Sequence, residues 1–173
     1  MLTAQVDTPI GVLNLGATAT GLRIVQFPRH DARDQQFVTG DEDPRGKVDR
    51  IAQAQLDEAR QQVEEYFAGK RTEFDLPLDW AGVFGFRRTV LQLLAKVPFG
   101  ETTTYGQLAA GAGMPSASQA VGGIMGSNPL PIVVPCHRVL AADGLGGFGG
   151  GLRTKEWLLA WEGVMPPALD WDA

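Results

Sequence analysis

Residues 131–138, Pro131-Ile132-Val133-Val134-Pro135-Cys136-His137-Arg138, constrain this chain most, because they carry its only cysteine. One cysteine permits neither an intramolecular disulfide nor a multi-cysteine metal site, so the fold must rest on a hydrophobic core. The composition supplies one: 44% of the 173 residues are hydrophobic and 20% charged, the balance of a globular chain. Cys136 itself has two readings. After three β-branched residues it fits a small buried hydrophobe on an extended strand, with His137 pointing to the opposite face. Beside His137, one of only two histidines, it also fits a nucleophile, because the thiolate is the reactive form and a nearby base favours it.

No apolar run approaches the length of a membrane span. The first residues, Met1-Leu2-Thr3-Ala4-Gln5-Val6-Asp7, lack the basic and apolar regions of a signal peptide. With one unpaired cysteine, the expectation is a reducing, cytoplasmic compartment and no membrane. A net charge of -5 argues mildly against a nucleic-acid partner. The distribution alters that: residues 1–85 hold nine basic and fourteen acidic side chains, whereas residues 86–165 hold six basic and four acidic. The half containing Cys136 is slightly basic.

Three short strands are expected at 2–7, 11–16 and 22–27, joined by tight turns into an antiparallel meander. Residues 28–47 read as a loop. The clearest helix spans 49–68, with Ala52, Leu56, Ala59, Val63 and Phe67 at helical spacing and Gly69 placed to end it. Residues 72–80 alternate Phe74, Leu76, Leu78 and Trp80 and read as extended. Gly82 and Gly85 mark a break, so the expected domains are 1–80 and 81–173. In the second, a helix over 86–96 turns Val90, Leu93 and Leu94 inward. Two short helices follow, the first over 104–110 and the second running to about Gly126. Ser116-Ala117-Ser118-Gln119 matches a capping box that would open the second. Two such helices outline a helix-turn-helix, or equally a plain helical hairpin.

The second helix carries no charge and holds Gly122, Gly123 and Gly126, each costing about 1 kcal/mol relative to alanine. Close approach of something to the backbone explains that, whether a neighbouring helix or a groove of DNA. Residues 143–151 contain six glycines and must be a loop. Gly144, Gly146 and Gly149 match G-x-G-x-x-G, but no βαβ unit surrounds them, which excludes a dinucleotide site. The last helix, 152–162, is expected to turn Leu152, Leu158, Leu159 and Trp161 inward.

Groups able to do chemistry are Cys136, His137, Lys155, Glu162, Tyr105 and Asn128. Histidine suits removal of a thiol proton near neutral pH, and a carboxylate such as Glu162 fixes its tautomer. Lys155 lies seven residues before Glu162, on the same helix face. A solvated face is the alternative reading of that pair.

Pro135-Cys136-His137-Arg138-Val139 is similar to the active-site signature of the O6-alkylguanine-DNA alkyltransferases. Thr103-Thr104-Tyr105-Gly106-Gln107-Leu108-Ala109 resembles the first part of their helix-turn-helix. Ala120-Val121-Gly122-Gly123 with Asn128-Pro129 resembles their recognition helix, and Gly150-Gly151-Leu152 with Lys155-Glu156-Trp157-Leu158-Leu159 and Glu162-Gly163 resembles their closing segment. The likeness runs in unbroken order over 74–163. It implies an α/β protein with an N-terminal ribonuclease-H-like supporting domain and a C-terminal, mostly helical domain that binds DNA through the minor groove. It implies no cofactor, a monomer, and transfer of an alkyl group from guanine O6 in double-stranded DNA to Cys136 after base flipping. O4-alkylthymine stays open as a second substrate. By position, His137 would activate the thiol through a water and be oriented by Glu162. Tyr105 would donate to the leaving guanine, Lys155 would support the thiolate or the tyrosine, and Asn128 would tie the helix-turn-helix to the active site. The carbonyls of Cys136 and Val139 would read the base, and the backbone at Gly149 would line the pocket. Gly122 and Gly123 would face the DNA. Arg87, Arg88, Lys96, Arg138 and Arg153 would supply phosphate contacts.

Two departures from the family pattern stand out. Gln119 occupies the place of an arginine that fills the gap left by the flipped base, and Phe148 stands where a tyrosine is frequent. The zinc site of some animal relatives has no cysteines to form it. Two rivals remain. A non-catalytic alkyltransferase-like sensor of alkylated guanine is disfavoured by the retained Cys136. A cysteine hydrolase lacks an oxyanion-hole pattern.

Overall fold

The computed structural model describes residues 1–27 and 49–167; the expected loop over 28–47 lies outside the described residues. The chain forms two compact units, Met1–Ala81 and Gly82–Ala173.

The first unit begins with β1 (Leu2–Thr8), β2 (Gly11–Ala17) and β3 (Leu22–Gln26), an antiparallel meander in that order. The Thr8 side chain makes the first turn, donating to the Gly11 carbonyl at 2.6 Å and accepting from the Ile10 N–H at 3.2 Å. Val6, Leu13, Leu15, Leu22 and Val25 are buried. Helix α1 (Arg50–Phe67) contacts all three strands. Asp49 caps it by accepting from the N–H groups of Ile51 and Ala52. Ala52, Leu56, Ala59, Val63 and Phe67 are all buried, as their spacing predicts. Gln62 is buried with them, and its amide pairs both ways with the Asp75 backbone, at 2.9 and 2.8 Å.

Residues 72–80 are only partly what alternation suggests. One bridge joins Leu78 to Leu22, and Phe74, Leu76, Leu78 and Trp80 are half-buried. The buried residue here is Asp79, which accepts from the Thr18 hydroxyl at 2.6 Å and the Ala81 N–H at 2.9 Å. Burial opposes its charge, yet these donors and nearby Arg23 hold its carboxyl below the usual range.

The second unit contains α2 (Gly85–Leu94), β4 (Thr103–Thr104), α3 (Tyr105–Gly111), α4 (Ser118–Gly126), a 3-10 turn (Cys136–Arg138), β5 (Val139–Leu140) and α5 (Leu152–Trp161). Helices α3 and α4 pack on each other and on α2, giving the helix-turn-helix. The inward residues of α2 are Val90, Leu91 and Leu94 rather than Leu93.

The capping box lies elsewhere than expected. Helix α4 starts at Ser118 behind Ala117, with no side-chain cap. Ser116 sits two residues upstream, in a turn closed by the Ala117 N–H on the Met114 carbonyl at 2.9 Å. Pro115, with its fixed φ, suits the second position of that turn and takes Ser116 out of cap register. The box is formed at α3, where Thr104 and Gln107 each accept from the other's backbone N–H at 3.1 Å. Thr104→Ala should therefore cost about 1 kcal/mol in urea unfolding, and Ser116→Ala should stay within about 0.5 kcal/mol.

Helix α5 also departs from expectation. Leu158 and Leu159 are buried, but Leu152 is 52% and Trp161 38% exposed. The inner stripe is Lys155, Leu158, Leu159 and Glu162, an i, i+3, i+4, i+7 pattern carrying two charges. Apolar periodicity misleads here because the inward positions at each end are ionic.

Candidate active site

Two two-residue strands set the site. Thr103 pairs with Val139 and Thr104 with Leu140, in parallel. Tyr105 follows β4 directly and the Cys136–Arg138 turn precedes β5, so this ladder brings tyrosine and cysteine to one cavity of about 320 Å³. Its other lining residues are Gly122, Met125, Gly126, Gly147, Phe148 and Gly149. The size suits a small-molecule or single-base guest.

The approach to Cys136 is not an extended strand. Val134 N–H bonds the Leu130 carbonyl at 2.7 Å, and Ile132 takes a left-handed φ of 73°, unusual for a β-branched residue. Pro135, at φ -81° and ψ 70°, forms an inverse γ-turn closed by Cys136 N–H on the Val134 carbonyl at 2.8 Å. The same carbonyl accepts from Asn128 Nδ2 at 2.8 Å. Asn128, just beyond α4, thereby links the helix-turn-helix to the turn that presents the thiol.

Cys136 is 5% exposed. Burial pushes its thiol up, offset in part by the Asn128 amide, the Lys155 charge and the N–H groups of Cys136 and His137. His137 is fully buried, and that burial pushes its imidazole down. Glu162 acts the other way, with Oε2 3.0 Å from His137 Nε2. This is a close polar contact rather than an aligned hydrogen bond, and Nδ1 is buried with no protein partner. Lys155, also fully buried, donates from Nζ to the Val139 carbonyl at 2.7 Å and the Gly147 carbonyl at 3.1 Å. Burial lowers it to about 8, against a smaller opposing pull from Cys136. The Val139 carbonyl expected to face a base thus already holds a lysine.

Arg138 corrects the expectation of a phosphate contact. It is 5% exposed, and its Nε and Nη2 each donate to one Glu162 oxygen at 2.7 Å. Nη1 donates to the Val97 carbonyl at 2.6 Å. A guanidinium so engaged and covered cannot reach DNA. Arg87 is also engaged, donating to the Ser127 carbonyl at 2.6 Å. Exposed cations on this unit include Arg88, Lys96 and Arg153.

Gln119 lies outside the cysteine cavity, in an adjoining groove of about 490 Å³ lined also by Thr104, Tyr105, Gly106, Ser118, Gly122, Ala141 and Ala142. Gly123 is exposed and lines neither space. The glycines of α4 do not serve helix packing: a Cβ built on Gly122, Gly123 or Gly126 meets nothing within 4 Å. They leave a bare backbone open to an external partner. The sequence reading passed over Met125, Gly126 and Gly147 as lining residues. The i, i+3, i+4 spacing of Gly122, Met125 and Gly126 was the available signal.

A helix-turn-helix whose bare helix borders a cavity holding a buried cysteine, with histidine and carboxylate behind it, defines a DNA-directed protein with a cysteine nucleophile. Comparison with known proteins narrows this. Residues 85–164 match the model of the 6-O-methylguanine DNA methyltransferase DNA-binding domain, and residues 1–80 that of the same proteins' ribonuclease-like domain. A methylated-DNA–protein-cysteine methyltransferase of Mycolicibacterium paratuberculosis is 43% identical over 168 residues, covering 94% of this chain and 93% of that protein. The Mycobacterium tuberculosis OGT structure in complex with DNA superposes with a TM-score of 0.78 at 35% identity, covering all of both chains. The Pyrococcus kodakaraensis O6-methylguanine-DNA methyltransferase does so at 0.56 and 25% identity, covering 94% of this chain and 98% of that one. The chain belongs to the 6-O-methylguanine DNA methyltransferase family.

Proposed function

We propose that this protein repairs DNA by direct reversal, moving an alkyl group from O6 of guanine onto Cys136 in a single turnover. The observation that carries this is the cavity itself, where Cys136, Tyr105 and the bare face of α4 meet with His137 and Glu162 behind the thiol. A base reaches it only by leaving the duplex, at a cost of a few kcal/mol. The bond formed is sulfur to alkyl carbon and the bond broken is that carbon to O6. Its electron pair leaves with guanine, which takes up a proton from the Tyr105 side or from solvent as the thiol loses its own. His137 takes the thiol proton, through a water reaching the unpartnered Nδ1, while Tyr105 faces the leaving base. The thioether is stable, so each molecule reacts once.

DNA contact and transfer are assigned to residues 81–173, and a supporting role to residues 1–80. Binding is through the minor groove, where an uncharged helix relies on close approach and deformation. Among the described residues no helix is long and apolar enough to cross a membrane. We place the protein in the cytoplasm, acting as a monomer on DNA.

The test is an intact-protein mass spectrum after incubation with a duplex containing O6-methylguanine. The expected gain is one methylene unit, mapped to Cys136 and absent in Cys136→Ser. The alternative, a sensor that binds the lesion without reacting, rests on Gln119 in the groove beside the cavity. Unchanged mass with retained lesion binding would establish it, and Gln119→Arg would then be the variant to measure.

A further inference from the structure

Glu162, Arg138 and Lys155 are buried together with the imidazole of His137 in the half of the molecule that holds the thiol, and the proposed transfer uses only part of them. Glu162 holds its carboxylate 4% exposed at the end of α5. Oε1 accepts from Arg138 Nε at 2.7 Å, while Oε2 is shared between Arg138 Nη2 at 2.7 Å and His137 Nε2 at 3.0 Å. Arg138 is anchored in turn by the Val97 carbonyl at 2.6 Å, with its guanidinium carbon 6.0 Å from the centre of the Phe99 ring. Nucleophile, base and arginine are consecutive in one 3-10 turn. The backbone that carries the arginine is therefore the backbone that carries the base.

A lone carboxylate against a buried imidazole draws a proton onto it. Here the carboxylate is bound by a bidentate guanidinium, which cancels most of its charge and fixes the direction of both oxygens. We propose that Arg138 is a positioning residue that clamps and neutralises Glu162, and so limits the basicity of His137 next to Cys136. This goes beyond assigning Glu162 the orienting role and rests on the reading of His137 as the base. The other groups facing the pair are Lys155 from α5, a cation, and Tyr105 from α3 across the cavity; Asn128 supplies a neutral amide. Burial, Arg138 and Lys155 all disfavour the imidazolium, and Glu162 alone favours it.

The chain has only two histidines, so their ring protons can be followed individually by NMR, with His30→Asn as the assignment control. In Arg138→Met the His137 titration midpoint should rise by about one pH unit or more, because an adjacent cation has been removed from its carboxylate. Iodoacetamide labelling of Cys136 should shift to lower pH with it. Arg138→Lys keeps the charge and loses the fork, so the midpoint should stay within about 0.3 units while alkyl transfer slows about tenfold. A merely structural arginine would destabilise both variants without moving either midpoint. An unchanged His137 midpoint in folded Arg138→Met overturns the proposal. Should that variant not fold, Arg138→Gln is read in the same way: a raised His137 midpoint supports the clamp and an unchanged one overturns it, as does an imidazolium at pH 7 in the parent protein. The titration and labelling readouts need no alkylated DNA, so a failure of the transfer reading leaves them interpretable.

Discussion

Replacing Glu162 with alanine is expected to destabilise the protein by about 3–5 kcal/mol, because it strands the buried Arg138 charge without its partner. Both carboxylate oxygens are engaged by that guanidinium at 2.7 Å, and among the described residues no other carboxylate lies within ion-pair distance of Arg138. The same change should slow alkyl transfer by about 10²-fold or more, the usual range for a disrupted general base. The pH dependence follows from Glu162. Burial opposes its charge, but Arg138 and then His137 hold its carboxyl down to about 2, below the usual carboxylate value near 4.3. The unfolded chain therefore binds this proton more tightly than the native one. The stabilisation is complete above about pH 5 and is lost as pH falls towards 2. Urea midpoints measured from pH 6 to pH 2.5 should fall steeply in the parent and less steeply in Glu162→Ala. Parallel slopes would show that the carboxylate is not the acid-sensitive group.

Gly146→Ala should reduce alkyl transfer about 10²-fold with much smaller loss of stability. A Cβ at this position would lie 2.7 Å from the Tyr105 hydroxyl oxygen and 3.0 and 3.2 Å from two of its ring carbons. The residue also has φ +72°, where alanine is strained by about 1 kcal/mol. The tyrosine tip can swing away, which limits the folding cost. It does so inside the cavity it shares with Cys136, where a displacement of about 1 Å is enough for that loss of rate. Gly144→Ala is the control, because its Cβ meets nothing within 4 Å, it lines neither the cavity nor the adjoining groove, and it leaves Tyr105 in place. Single-turnover rates for the two variants and for Tyr105→Phe separate the effects. If Tyr105 is the target, Gly146→Ala adds little on top of Tyr105→Phe; full additivity would show that the loop glycine acts independently.

Much of this molecule is legible from local pattern. The stripe from Ala52 to Phe67 is one helix face read at a period of 3.6, and Gly69 ends that helix with φ +74°. The meander follows from short apolar runs and Thr-Pro-Ile-Gly turn chemistry. Cys136, His137, Glu162, Tyr105 and Asn128 stand out because few residue types can do this chemistry and the chain has few of them near one another. Local pattern fails where competing turn chemistry or a partner distant in sequence decides. Pro115 drew Ser116 out of the helix start, and the cap formed at Thr104 instead. Trp161 and Leu152 fit an apolar face that the fold did not use, because Lys155 and Glu162 found buried partners 8 to 24 residues away.

The sequence by itself determined the elements, the residue that reacts and the uncharged, glycine-bearing helix beside it, since these depend on periodicity, turn chemistry and side-chain identity. Only the tertiary structure decided what each charge is for. Arg138 reads as a phosphate ligand next to a nucleophile, yet it lies beneath the site on Glu162 and Val97. Lys155, whose position on the helix also allows a solvated face, is fully buried on two carbonyls. Tyr105 meets Cys136 only through a two-residue ladder, Thr103 to Val139 and Thr104 to Leu140. The physical reason is shared: a charge or a two-residue strand has no local signature of its partner, and the favourable arrangement exists only once the chain has closed around it.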